Sequence, residues 1–222
     1  MKQTFSIRNA TPADLPGILQ VEQSWPEGSR AGADKFLSRL ARFPQGFLLA
    51  SIPDPERENA EIVVATMTAM PLNYRPDDLH DFENWNRVTN QGYLYETDLL
   101  ACNALYIVSG VIDNRYRGLN LFAPAVLREA ALAQSLGLRY VLAGAVIPGY
   151  RKFCERHGEL SAFDYCITRR GTHLVDPLLA LYDAIGFSVP DARHVLPEYY
   201  PDDASRNFAA LVVRDLRLTP PE

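Results

Sequence analysis

The 222-residue sequence predicts a single α/β domain, residues 1–222, built on a mixed sheet. Three observations carry this: a strand-to-helix opening, a central strand–helix–strand unit, and strand-like runs on either side of that unit. Hydrophobic residues make up 47% of the chain and charged residues 22%, enough apolar material for a substantial core.

Residues 5–8 alternate apolar and polar, as a short strand does. Thr11 and Asp14 form a capping-box pattern ahead of LPGILQVEQSW, whose apolar residues recur at helical spacing. A second helix is expected over Ala33–Arg42, stopped by Pro44. GFLLASI (46–52) and EIVVATMTAM (61–70) flank a polar turn and are close enough to pair as a hairpin. Residues 71–101 hold no sustained period, and so long an irregular stretch inside a compact domain is more often functional than idle.

ALYIVSGVI (104–112) is the central strand. AVLREAALAQSLGL follows as an Ala- and Leu-rich helix ending near Gly137, with Pro124 implying a first turn that begins late or is bent. RYVLAGAVI (139–147) closes the unit as a parallel partner. Residues 148–173 are a second irregular insertion, helical around YRKFCERHG. DPLLALYDAIGF (176–187) is an amphipathic helix with a glycine stop, and FSVPDARHVL and RNFAALVVRDL supply the last two strands.

The 22 Lys and Arg against 27 Asp and Glu give a net charge of −5, which argues against a nucleic-acid binder and mildly favours a cationic substrate. Asp77, Asp78, Asp81 and Glu83 are the acids that would attract one, unless they are simply solvated. Cys102, Cys154 and Cys166 form no CxxC pair and their odd number fits a reducing compartment. The N-terminus lacks the apolar core of a signal peptide, and no apolar run approaches the ~20 residues that span a bilayer. A soluble cytoplasmic protein without membrane contact is expected. His80, His157, His173 and His194 are scattered without metal-ligand spacing, so no metal is expected.

The stretch RYRGLNLFAP (115–124) joins the central strand to its helix. A helix N-terminus presents unsatisfied N–H groups and the positive end of a dipole, which together form an anion seat. Arg115, Tyr116, Arg117, Gly118, Leu119, Asn120, Leu121 and Phe122 are the candidate donor-binding residues, with Gly118 free to adopt backbone angles that other residues resist.

The passages NWNRVTNQGYLYETD, YRG, GAVIPGYRKF, VDPLLALYDAIGF and VLPEYYPDDASRNFAALV resemble the GNAT acyltransferase superfamily over about residues 5–215. They are most similar to GNAT modules fused to nitrilase-like hydrolases and to GNAT-like loading domains of polyketide synthases. The resemblance implies a strongly twisted mixed sheet of about seven strands flanked by helices, with an inserted irregular and helical segment near 148–173. It implies an acyltransferase, moving an acetyl or other acyl group from acetyl-CoA or another acyl-CoA to a small-molecule amine. It also implies a phosphate-gripping turn, Arg/Gln-x-x-Gly-x-Gly/Ala. Two registers compete: Arg115-x-x-Gly118-x-Asn120 departs at one position, whereas Arg117-x-x-Asn120-x-Phe122 replaces both small residues. In the second register Phe122 would crowd a diphosphate.

The same resemblance places the backbone of Ile112 beside the thioester carbonyl and makes Tyr182 the acid that protonates the leaving sulfur. A phenol, with pKa ~10, holds its proton at neutral pH. Glu96 and Asp98 in YETD, just ahead of the central strand, are the candidate bases, Glu96 first, either relaying a proton directly or through water. Trp85, Tyr93, Tyr95, Tyr150, Tyr199 and Tyr200 are candidates to line the acceptor cleft, although packing is the simpler reading for most of them. Two alternatives stay open: a binding or regulatory module that has lost donor binding, and a loader or decarboxylase served by an acyl carrier protein. Tyr182 stands where the decarboxylating domains carry a histidine, which weighs against decarboxylation. Superfamily members often pair through edge strands, so a homodimer is compatible with the reading.

Overall fold

The structure, a computed structural model, describes residues 4–218. Its strands are β1 (Ser6–Asn9), β2 (Phe47–Pro53), β3 (Glu61–Leu72), β4 (Ala104–Ile112), β5 (Tyr140–Val146), β6 (Arg169–Arg170), β7 (His173–Leu174), β8 (Val195–Leu196) and β9 (Ala209–Asp215). The α-helices are α1 (Leu15–Glu22), α2 (Ala33–Arg42), α3 (Trp85–Thr89), α4 (Phe122–Ser135), α5 (Tyr150–His157), α6 (Ala162–Ile167) and α7 (Pro177–Asp183). Seven strands form the main sheet in the order β1-β2-β3-β4-β5-β9-β8, and β6 pairs with β7 apart from it. Every neighbouring pair in the main sheet is antiparallel except β4 and β5, which α4 connects in parallel.

Strand alternation builds a core on each face of the sheet. Leu105, Ile107, Val141, Ala143, Ala210 and Val212 face α4 and α7, meeting Val126, Ala130, Ala133 and Leu179. Tyr106, Val108, Leu142, Leu211 and Val213 face the other way, onto Tyr74, Phe82, Val88 and Tyr199. Full burial of a side chain such as Val126 is worth ~1.5–3 kcal/mol, so the α4 stripe holds the crossover firmly.

The capping box is present: Asp14 accepts from the N–H and hydroxyl of Thr11 at 2.8 Å each, and Arg8 clasps the same carboxylate. That clasp holds Asp14 down at about 2. At the other end of the chain, Gly186 (φ +85°) ends α7 in a Schellman arrangement, with Phe187 N donating to Tyr182 O and Gly186 N to Asp183 O.

Two expectations are corrected. Helix α4 starts at Phe122, with no late first turn, because Pro124 falls among the first four positions whose N–H groups have no intrahelical acceptor. FSVPDARHVL forms only the two-residue β8 and one bridge, Ser188 to Val213, since Pro190 lacks a ladder donor and Asp191 turns the chain by accepting from Arg193 N.

The insertion is fixed by one buried acid. Asp176 accepts from Gly149 N and the Tyr165 hydroxyl, both at 3.0 Å, and caps α7 through Leu178 N and Leu179 N. A Cβ on Gly149 would lie 2.2 Å from that hydroxyl, so glycine is required there. Among the described residues no helix is long and apolar enough to cross a membrane, and no group of His, Cys, Asp and Glu is arranged to hold a metal.

Candidate active site

Strands β4 and β5 pair only from Ala104 and Tyr140 to Ile107 and Ala143. Beyond that point they part, leaving 108–112 and 144–146 to face each other across an open wedge. A bulge starts the divergence: against β3 the register slips between Thr68 and Ala69, so that Val108 has no partner. Its carbonyl is taken instead by the Trp85 indole N–H at 2.8 Å. The wedge opens into a cleft of about 550 Å³ bounded by the start of α4, by α7, by 199–201 and by the segment joining α1 to α2.

Three tyrosines meet at the base of the wedge. Tyr106 and Tyr199 share a hydrogen bond, and Tyr182 lies near enough for an ionised Tyr106 to disfavour its ionisation. Burial pushes the Tyr106 phenol up to about 12 and holds Tyr182 and Tyr199 far above their ordinary value, so all three keep their protons. A Cβ on Gly144 would sit 2.2 Å from the Tyr199 hydroxyl, which is why β5 carries glycine at the first wedge position.

The turn sorts the two registers. Arg115 is committed to the buried carboxylate of Asp113 at 2.7 Å, which also accepts from Arg115 N. Gly118 has neither a positive φ nor any atom near a would-be Cβ, so glycine is not demanded there. Asn120, at φ 53° and ψ 43°, occupies the left-handed region, and Arg117 is exposed with no ion pair among the described residues. Asparagine tolerates that conformation better than most residues, so it keeps the backbone shape a glycine would provide. The Arg117, Asn120, Phe122 register therefore matches the geometry. Tyr116 and Leu119 pack with buried Leu121 against Ile52, Val64 and Ala65, anchoring the turn. Phe122 stacks edge to face on Tyr182 in the cleft wall and leaves the N–H groups of Phe122 and Ala123 without intrahelical acceptors.

Of the residues singled out from the sequence, Ile112, Leu121, Phe122, Tyr182, Trp85, Tyr199 and Tyr200 line the cleft. Arg115, Tyr116, Arg117, Gly118, Leu119 and Asn120 shape the turn beside it. Glu96 stands apart: its side chain is 86% exposed and pairs with Arg42. Tyr93, Tyr95 and Tyr150 also lie outside the lining, as do the histidines. Asp77 and Asp78 border a separate groove with Tyr74 and Arg139, one with neither splayed strands nor a helix start. The expected acidic attraction for a cationic acceptor is absent from the cleft, where Arg30, Lys35 and Arg39 face a single carboxylate, Glu22.

Glu22 and Arg39 were not singled out from the sequence, yet both carried a signal. Each sits on the apolar stripe of its helix, Glu22 with Ile18 and Val21, Arg39 with Phe36 and Leu40. Glu22 is 6% exposed and accepts from Ala31 N at 2.7 Å. Burial raises its pKa, an effect that the Ala31 N–H and the neighbouring cations only partly offset.

The chain superposes on the loading GNATL domain of CurA from Lyngbya majuscula with a TM-score of 0.77, at 19% identity, over 96% of this chain and 98% of that one. The chain has the GNAT fold. The GphF GNAT-like decarboxylase, solved with isobutyryl-CoA, aligns at 0.75 and 21% identity over 96% of this chain and all of that one. The NatB acetyltransferase complex bound to CoA and MES aligns at 0.55, with 15% identity over 95% of this chain and 99% of that one. By sequence the chain is 25% identical over 208 residues to the probable hydrolase YhcX of Bacillus subtilis (strain 168), covering 93% of this chain but only 37% of that protein. It matches no protein-family model.

Proposed function

We propose that the protein is a GNAT-type acyltransferase that moves an acyl group, acetyl in the simplest case, from a coenzyme A thioester to an amine. One observation carries the reading: the wedge between β4 and β5 runs from the start of α4 to the Tyr182 phenol. The residues fit such a donor. Arg117 and the free N–H groups at the start of α4 suit the diphosphate, and the unpaired edge of 108–112 offers backbone groups to the pantetheine arm and the thioester carbonyl.

The amine nitrogen attacks the thioester carbon while the carbon–sulfur bond breaks. Glu22 takes the proton lost by the nitrogen, from a position that Glu96 does not have, and Tyr182 protonates the departing thiolate. Products are an amide and free coenzyme A.

A second reading, an acyl loader or decarboxylase served by a carrier protein, is favoured by the closer superposition on the CurA and GphF domains. Thermal melting with acetyl-CoA, coenzyme A and an acyl-loaded carrier protein, read beside an assay for amide formation from acetyl-CoA and an amine, separates them, since the GphF decarboxylase was itself solved with an acyl-CoA. A ligand at a hundred times its Kd stabilises the fold by ~2.7 kcal/mol. A shift with the free thioester and coenzyme A, together with amide formation, is expected; a shift with the loaded carrier alone would replace the first reading by the second, and none at all would sink both.

A further inference from the structure

The acceptor end of the cleft holds a buried cation, Arg39, that no carboxylate touches among the described residues: Glu22, the acid in the lining, acts on it only through space. Arg39 is 2% exposed, although it lines the cleft. Its Nε donates to Gly92 O at 2.9 Å, its Nη1 donates to Ser109 Oγ at 3.1 Å, and its guanidinium lies over the Phe36 ring. No carboxylate lies within 4.0 Å of it among the described residues, and Nη2 makes no hydrogen bond to any of them. Removing a guanidinium from water without a partner is costly, and such an ion is kept where something else completes it.

The surroundings favour an anion. Arg30 is pinned by its Nε to Trp25 O and by its Nη2 to Gln23 O, and Lys35 lies over the Tyr93 ring. The one acid in the lining, Glu22, faces all three cations, so the lining keeps a positive excess even with that carboxylate ionised. Arg39 remains a cation at neutral pH even though burial lowers it to about 10. This positive end stands out in a chain of net charge −5.

We propose that Arg39 Nη2 and the Ser109 hydroxyl form a carboxylate subsite, and that the acceptor is an amine bearing a carboxylate, an amino acid or related amino carboxylic acid. This rests on the acyltransferase reading. Ser109 belongs to the wedge-lining stretch of β4, so a carboxylate held there places the attached amine beside the thioester position. The guanidinium is held in place by its bonds to Gly92 O and Ser109 Oγ, so Nη2 is presented at a fixed position beside the hydroxyl, whereas a lysine at the same place would offer only a mobile point charge.

The test compares steady-state transfer from acetyl-CoA to matched acceptors, such as phenylalanine against 2-phenylethylamine and glutamate against 4-aminobutyrate against butylamine, and repeats it with malonyl-CoA as donor. Acceptors with a carboxylate are expected to react with the lower KM, and Arg39→Lys and Ser109→Ala to raise that KM by about tenfold or more while the KM for acetyl-CoA holds, as for a lost charge-assisted hydrogen bond. Should Arg39→Lys fail to fold, Ser109→Ala and protection of the wild type from melting by phenylacetate give the same readout.

Equal KM values with and without the carboxylate, or a preference that survives both substitutions, overturn the subsite and leave the acyltransferase reading standing. A defect confined to malonyl-CoA assigns the carboxylate to the acyl chain and overturns the acceptor. Transfer to no amine at all removes the acyltransferase reading and the acceptor with it.

Discussion

The rings of Phe122 and Tyr182 meet edge to face with their centroids 4.9 Å apart. The residue that departs most from a small-residue turn thus buttresses the proposed acid, and Phe187 supports the same ring from the other side of the helix end at 5.1 Å. An aromatic pair of this kind contributes ~0.5–1.5 kcal/mol beyond area burial. Phe122→Ala is expected to lower the melting temperature and to reduce kcat more than it changes coenzyme A affinity, because Tyr182 loses its lateral support. Stronger coenzyme A binding with unchanged kcat would instead mean that the ring obstructs the donor.

Tyr182→Phe keeps the ring and its packing and removes only the proton. Turnover should fall by ~10²–10⁴, the usual contribution of a positioned acid, with the Kd for acetyl-CoA nearly unaltered. Rapid-quench or free-thiol assays beside calorimetric titration separate the two quantities. Undiminished turnover removes Tyr182 from the mechanism.

Glu22→Gln is the corresponding test of the base. Because burial raises the carboxyl above its ordinary value, the wild type should lose kcat/KM as pH falls through that raised pKa. The Gln variant should be slow throughout and lack this acid limb. An identical pH profile in the two proteins would assign the limb to another group.

Asp176 is wholly buried and satisfies four donors, from Gly149, Tyr165, Leu178 and Leu179. Asn turns one carboxylate oxygen into an N–H donor facing other donors, so Asp176→Asn should cost ~3 kcal/mol in urea unfolding, the scale of hydrogen bonds to a charged group. A loss below a few tenths would mean that the insertion holds without its clamp.

The longer strands, α2 and the parallel unit were legible because they rest on local periodicity: 104–112 and 33–42 coincide with β4 and α2, whereas the two-residue β6, β7 and β8 are too short to carry one. What periodicity does not report is partnership across the chain. Gly144 is demanded by Tyr199, and the Trp85 indole serves the Val108 carbonyl, relations invisible in a one-dimensional pattern. Glu96 was placed by its nearness to β4 in sequence, but the loop carries it outward to Arg42. Glu22 and Arg39 escaped for a different reason: helical periodicity weighs the apolar residues of a stripe, and the charge each helix carries on that stripe, which marks the cleft, adds nothing to the pattern.

Glu129 interrupts the stripe of α4 in the same way. It is fully buried, both carboxylate oxygens lack hydrogen-bond partners among the described residues, and burial raises its pKa well above the ordinary carboxylate value. The folded state therefore keeps a proton that the unfolded chain releases above pH ~4.3. Since the native state binds more protons in that window, stability should be greatest below it and decline as pH rises from the unfolded pKa toward the folded one. Glu129→Gln, uncharged at every pH, should abolish this decline, so that the variant gains on the wild type steadily between acid and neutral pH in urea titrations. A difference between the two proteins that does not change with pH would show that Glu129 ionises freely in the fold.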